Sequence, residues 1–140
     1  MTIRSSKGFS LVELLVVVAI IGILSAVGVA SYSGYVSGAK KKSTENVMRQ
    51  ISLAQTEEYS NSGSYYTNSE TTSCEPSSLT SNDIETNLFG GGNQIPKEMG
   101  YEICIADTGS SNFDIFAKEI SGTCELILSR NGNLTRGEDC

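Results

Sequence analysis

The chain has 140 residues, with 10 Lys+Arg against 16 Asp+Glu, a formal net charge of −6 and no histidine. That is enough for one domain and too short for two ordinary ones. The acidic balance excludes a wholesale nucleic-acid coat, which needs a basic surface, and the missing histidine removes the commonest general base and metal ligand.

Nearly all the long apolar sequence lies at the N-terminal end. A short polar stretch, Met1 to Gly8, carries Arg4 and Lys7; from Phe9 to Ala30 the only charge is Glu13. Twenty-two helical residues span roughly 33 Å, about the hydrocarbon core of a bilayer. A cleaved secretory signal, a single-span anchor and a buried core helix all share this pattern; the anchor fits best, because the apolar stretch is long for a signal and lacks a clear stop, and the remaining chain is too small and polar to surround a core helix. Glu13 is the anomaly. A carboxylate in a membrane segment costs about 2.5–3.5 kcal/mol on insertion scales. Either it lies near the helix end and reaches the headgroups, or it awaits a cation. No Lys or Arg occurs between Glu13 and Lys40. A cut before Phe9 would create an α-amine four residues away, available to its own subunit or to a neighbour offset along a filament.

The run Lys7-Gly8-Phe9-Ser10-Leu11-Val12-Glu13-Leu14-Leu15-Val16 resembles the prepilin processing site of type IV pilins and their secretion-system relatives. A weaker likeness continues through Ala54-Gln55-Thr56-Glu57-Glu58-Tyr59 and Gly63-Ser64-Tyr65-Tyr66, roughly the first half of the chain. The resemblance implies cleavage of Gly8–Phe9 by a prepilin peptidase on the cytoplasmic side. It implies N-methylation of Phe9 and pairing of Glu13 with the Phe9 amine of an adjacent subunit. Such a charge would select register more than add stability. Many family members have Pro where this chain has Ala30 and Gln50. Gly22 and Gly28, with Gly34, are expected to supply flexibility instead, or to let helices approach closely.

Residues 31–60 lack proline. Val36, Val47, Ile51 and Ala54 recur at helical spacing, with Lys40, Lys41, Lys42, Glu45, Arg49, Glu57 and Glu58 mostly on the other surfaces. The pattern predicts one helix from about Phe9 to about Tyr59, membrane-spanning over 9–30 and amphipathic beyond. The Lys40–Lys42 run reads as a solvated face, as links to acidic heads of neighbouring subunits, or as a contact for DNA or anionic lipid. It also opposes the positive-inside trend set by the leader, so the expected orientation leans on the processing motif.

The stretch 61–100 is rich in Ser, Thr, Asn and Gly and reads as connection, with short order around Leu79–Leu88. Gly90-Gly91-Gly92 lacks the Lys-Ser/Thr of a phosphate loop. Thereafter the period is two: Tyr101, Ile103 and Ile105; Phe113, Ile115 and Ala117; Cys124, Leu126 and Leu128. Asn131-Gly132 signals a two-residue hairpin turn, and a short last strand is expected near 133–136. The fold class is therefore α+β. A long N-terminal helix packs its second half, through Val47, Ile51 and Ala54, on a three- or four-stranded antiparallel sheet. Its divisions are a leader (1–8), a helix (9–60) and a head (61–140).

Four cysteines, Cys74, Cys104, Cys124 and Cys140, allow three pairings. Spacings of 30, 20 and 16 without a Cys-x2-Cys pair argue against zinc. The favoured pairing is Cys74–Cys104 with Cys124–Cys140. The loop closed by the latter resembles the disulfide-bounded C-terminal region of type IV pilins. No nucleophile–base constellation appears, so no enzyme, metal or cofactor is expected. The resemblance implies a pilus subunit held in the inner membrane as precursor. The assembly machinery then polymerises it with identical copies into an extracellular filament. A type II secretion pseudopilin and a minor or DNA-uptake pilin with a ligand-binding head are the alternatives, DNA binding not being favoured.

Overall fold

The computed structural model describes residues 8–140. The chain divides into two compact units, Met1–Gly38 and Ala39–Cys140, and the division falls inside the first helix, α1 (Leu11–Ser62). In the first unit α1 contains an eighteen-residue stretch of mean hydropathy 2.7 with none of it buried. By length and composition it is the one helix among the described residues fit to cross a membrane.

The second unit is the head. After α1 come α2 (Ser78–Phe89), a 3-10 turn at Lys97–Met99, and β1 (Tyr101–Asp107), β2 (Phe113–Glu119), β3 (Glu125–Ser129) and β4 (Leu134–Arg136). The strands form one antiparallel sheet in the order β1-β2-β3-β4. Strict alternation puts Tyr101, Ile103, Ile105, Phe113, Ile115, Ala117, Leu126 and Leu128 on one buried face, against Val47, Met48 and Ile51 of α1 and Ile84 of α2. Cross-strand partners such as Ile105↔Ile115↔Leu128 carry that face through the sheet. The architecture is thus α+β, with the head portion of α1 covering a four-stranded meander.

Some details follow the reading of the sequence and others depart from it. The short order expected around Leu79–Leu88 is a full helix, α2. Ser77 and Thr80 form a capping box at its start (Thr80 N–H to Ser77 Oγ 3.2 Å, Ser77 N–H to Thr80 Oγ1 2.9 Å), and Gly90 closes it at φ +69°. On α1 the buried set is Thr44, Glu45, Val47, Met48, Ile51 and Gln55; Ala54 is only half-buried. Gln55 is tolerated there because the chain folds back over it: its amide donates to Tyr66 O at 2.6 Å and accepts from Tyr66 N–H at 2.9 Å. The β3–β4 turn is not the two-residue form. Ser129 N–H reaches Asn133 O, Gly132 N–H reaches Ser129 O, and only Gly132 has positive φ. Three residues, 130–132, make the loop, with glycine in the left-handed position that re-aligns the strands.

The outer rim of β1 is closed by its own chain. Ile103 N–H donates to Ser81 Oγ (2.9 Å), Ile103 O accepts from Thr80 Oγ1 (2.8 Å), and Ile105 N–H donates to Asn68 Oδ1 (2.9 Å). Asn68 N–H returns a bond to Ile105 O, and Asp107 N–H donates to Ser69 O. At the other rim β4 has only three residues.

Candidate functional site

The N-terminal end of α1 holds three residues singled out by the sequence, Gly8, Phe9 and Glu13, together with Ser10. Gly8 and Phe9 are exposed and precede the helix; the rest of the expected leader, residues 1–7, lies outside the described residues. Ser10 and Glu13 form a reciprocal capping box. Ser10 N–H donates to Glu13 Oε2 at 2.8 Å, and Glu13 N–H donates to Ser10 Oγ at 3.2 Å. The Ser-x-x-Glu pattern before an apolar run is a known helix-start signature, and reasoning from the charge alone passed over it. Among the described residues Glu13 has no ion pair. Its carboxylate instead satisfies one of the orphan N–H groups of the helix end. Gly22 and Gly28 lie within an uninterrupted helix, and a Cβ at either would meet no neighbour. The surrounding Leu, Val and Ile side chains are exposed. An apolar surface this continuous is left for lipid or for another protein surface.

The head carries a second constellation. Glu45, assigned by spacing to a polar face, is 6% exposed. It accepts from Lys42 Nζ at 2.8 Å and from Arg136 Nη2 and Nε of β4 at 2.7 and 3.0 Å. Burial pulls its pKa up, but the hydrogen bonds and charges of Lys42 and Arg136 outweigh this and hold it below the usual carboxylate value. Lys41 Nζ donates to the Cys140 carbonyl oxygen. The basic run is therefore largely spent within the head: Lys41 and Lys42 tie down the C-terminal segment and the buried acid, and the aliphatic stem of Lys40 lies beside Gly100.

Two disulfides complete the head. Cys74–Cys104 (Cα–Cα 6.2 Å) draws the segment after α1 onto β1, and Cys124–Cys140 (4.7 Å) ties the C-terminal segment to the start of β3. A hydrogen bond and ion pair from Lys118 to Glu75, at 2.6 Å, pins the same segment that holds Cys74. Arg136, Lys41 and the Cys124–Cys140 bridge thus clamp the C-terminal segment from three directions. The exposed apolar helix and the braced head have separate chemistries: among the described residues the first is left uncovered and the second is satisfied.

Residues 3–29 match the family model described as the prokaryotic N-terminal methylation motif. The chain is 35% identical over 147 aligned positions to a fimbrial protein of Neisseria meningitidis, covering 95% of this chain and 81% of that protein. It is 40% identical over 53 residues to fimbrial protein Q of Moraxella bovis, and 40% identical over 53 residues to the type IV major alpha-pilin of that organism. Those two matches cover 38% of this chain and only 32% and 31% of the relatives, so there the chain spans under a third of each relative's length. No solved structure matches the chain.

Proposed function

The chain belongs to the fimbrial, type IV pilin family, and from that membership we propose that it is a pilus subunit, cut between Gly8 and Phe9 by a prepilin peptidase and polymerised through its apolar helix. The observation that carries this reading is the wholly exposed apolar stretch of α1, which begins just after Gly8–Phe9 at Leu11 and holds a single acid. Hydrolysis of the Gly8–Phe9 bond adds water across it and leaves a Phe9 ammonium group. That amine, N-methylated, is a counter-charge of the kind Glu13 lacks among the described residues. In the assembled fibre the Phe9 amine of one subunit meets Glu13 of another. In a low-dielectric bundle an unpaired carboxylate is costly, so the register that pairs it dominates.

Before assembly the precursor is stored in the inner membrane; afterwards the heads coat an extracellular filament of identical copies. Gly22 and Gly28 give α1 the freedom to loosen in that filament, each weakening the helix by about 1 kcal/mol relative to alanine. Loss of Arg4 and Lys7 with the leader takes the formal charge from −6 to −8, which keeps fibres soluble and mutually repelling. The role is structural and needs no catalytic group. DNA contact through Lys40–Lys42 is disfavoured, because Lys41 and Lys42 already hold Cys140 and Glu45.

Mass analysis of sheared surface fibres tests the processing step. The expected species begins at methylated Phe9, and fibres that retain residues 1–8 refute it. Gly8→Ala is expected to block cutting. Glu13→Ala is expected to insert and be cut yet assemble poorly; filament yield equal to the parent's would overturn the pairing.

A further inference from the structure

At one end of the head the β1–β2 and β3–β4 loops enclose an open depression of about 670 Å³, lined by Thr108, Gly109, Ser110, Asn112, Arg130 and Asn131. In a chain of net charge −6 these lining residues carry one charge, and it is positive. The Arg130 guanidinium lies 5.3 Å from the centroid of the Tyr65 ring. That ring is itself fixed, stacked on Tyr59 at 4.6 Å and tilted against buried Phe113 at 4.8 Å. Among the described residues Arg130 has no ion pair, unlike Arg136 in the next strand. A cation–π contact holds the planar group in place while leaving its five N–H donors unspent. The lining residue Thr108 also has a buried hydroxyl oxygen with no hydrogen-bond partner, a condition rare enough in folded proteins to call for a reason. The adjoining Ser110 and Ser111 both hold left-handed backbone, φ +54° and +57°, a strain that clusters at ligand sites. The carboxylate of this loop, Asp107, is turned to its own backbone, accepting from Gly109 N–H at 2.7 Å.

We propose that this depression binds an acidic sugar: its carboxylate on the fork of Arg130, its hydroxyls on the amides and hydroxyls of Asn112, Asn131 and Ser110. A fixed guanidinium without a counter-ion selects a planar anion, and bidentate pairing makes a carboxylate a good match. The uncharged polar remainder of the lining, Ser110, Asn112 and Asn131, is exposed and paired with water when the site is empty, and a ligand that brings several hydroxyls can take the place of that water.

The test uses the full chain, isotope-labelled, in detergent micelles, and so reads independently of polymerisation. N-acetylneuraminic acid and glucuronic acid are the probes; galactose and inorganic phosphate are the controls. The expected result is backbone amide shifts at Thr108, Ser110, Asn112 and Asn131 with the acidic sugars, weakened about tenfold in Arg130→Gln, the scale of one lost charge-assisted contact. Arg130→Lys keeps the charge without the fork and is expected to fall between. Unchanged strand amides in both variants establish that the fold is kept, and Asn112→Ala gives a second reading should Arg130→Gln disturb the hairpin. Absence of shifts, equal shifts with galactose or phosphate, or undiminished binding by Arg130→Gln and Asn112→Ala would each overturn the proposal.

Discussion

Ile21 and Ile51 belong to the same helix and live under opposite conditions. Ile21 is 57% exposed among apolar neighbours that are also exposed, while Ile51 is completely buried against the sheet. The two regions they represent are stabilised by different partners. Around Ile51 every apolar contact comes from this chain, so its worth is a property of the folded head. Around Ile21 the described residues offer apolar surface and none of them covers it, so any burial there has to come from lipid or from another surface. Secondary structure is identical in the two places; what differs is where the burial comes from.

Truncation is the most direct way to break this comparison. Ile51→Ala is expected to cost the head about 2–5 kcal/mol, the range for buried isoleucine, whereas Ile21→Ala should leave head stability within about 0.5 kcal/mol. Urea titration followed by circular dichroism of the full chain in micelles reads both, and equal losses would abolish the distinction. The disulfides sharpen it next. Replacing Cys124 and Cys140 by serine should lower head stability by about 2–4 kcal/mol, seen as a lower unfolding temperature, with membrane insertion unaltered.

A smaller effect concerns Glu45. Its folded pKa is depressed, so the stability it contributes is fully present above the unfolded carboxylate value of 4.5 and is lost as the pH falls through the lower folded value. Unfolding midpoints measured from neutral pH into that acid range should fall in the parent, and the acid-side slope should flatten in Glu45→Gln. The variant is expected to lose about 1–3 kcal/mol at neutral pH because Arg136 and Lys42 lose their anion. The smallest change expected is that of Ser10→Ala. Loss of one arm of the capping box costs about 0.5–2 kcal/mol locally, visible as faster hydrogen exchange at the first turn of α1 with head amides unaffected.

What could be read in advance follows the range of the interaction. Alternation within Tyr101–Ile105 and Phe113–Ala117 marked the strands and their buried face, because side-chain direction in a strand is set by immediate neighbours. The turn at Asn131-Gly132 was locatable for the same reason, though its three-residue form depends on how Ser129 and Asn133 pair across it. Glu45 was misplaced because its partner Arg136 lies 91 residues away, and helical spacing carries no knowledge of β4. Gln55 and Asn68 were overlooked for a similar reason: a buried amide makes sense only once the backbone it satisfies, at Tyr66 and Ile105, has come back alongside. At the N-terminal end Glu13 was legible as a problem of charge. Its bond to Ser10 was equally legible from local spacing: where the charge alone points to a cation, the helix start offers a backbone amide.

The sealed rim of β1 has a consequence for crowding. Sheet proteins packed at high density are prone to amyloid-like growth, in which an unoccupied strand edge templates a foreign strand. Here Asn68, Ser69, Thr80 and Ser81 already occupy that edge, and the opposite one is three residues long. Heads of this chain can therefore be brought shoulder to shoulder in great number without stitching into one another's backbones.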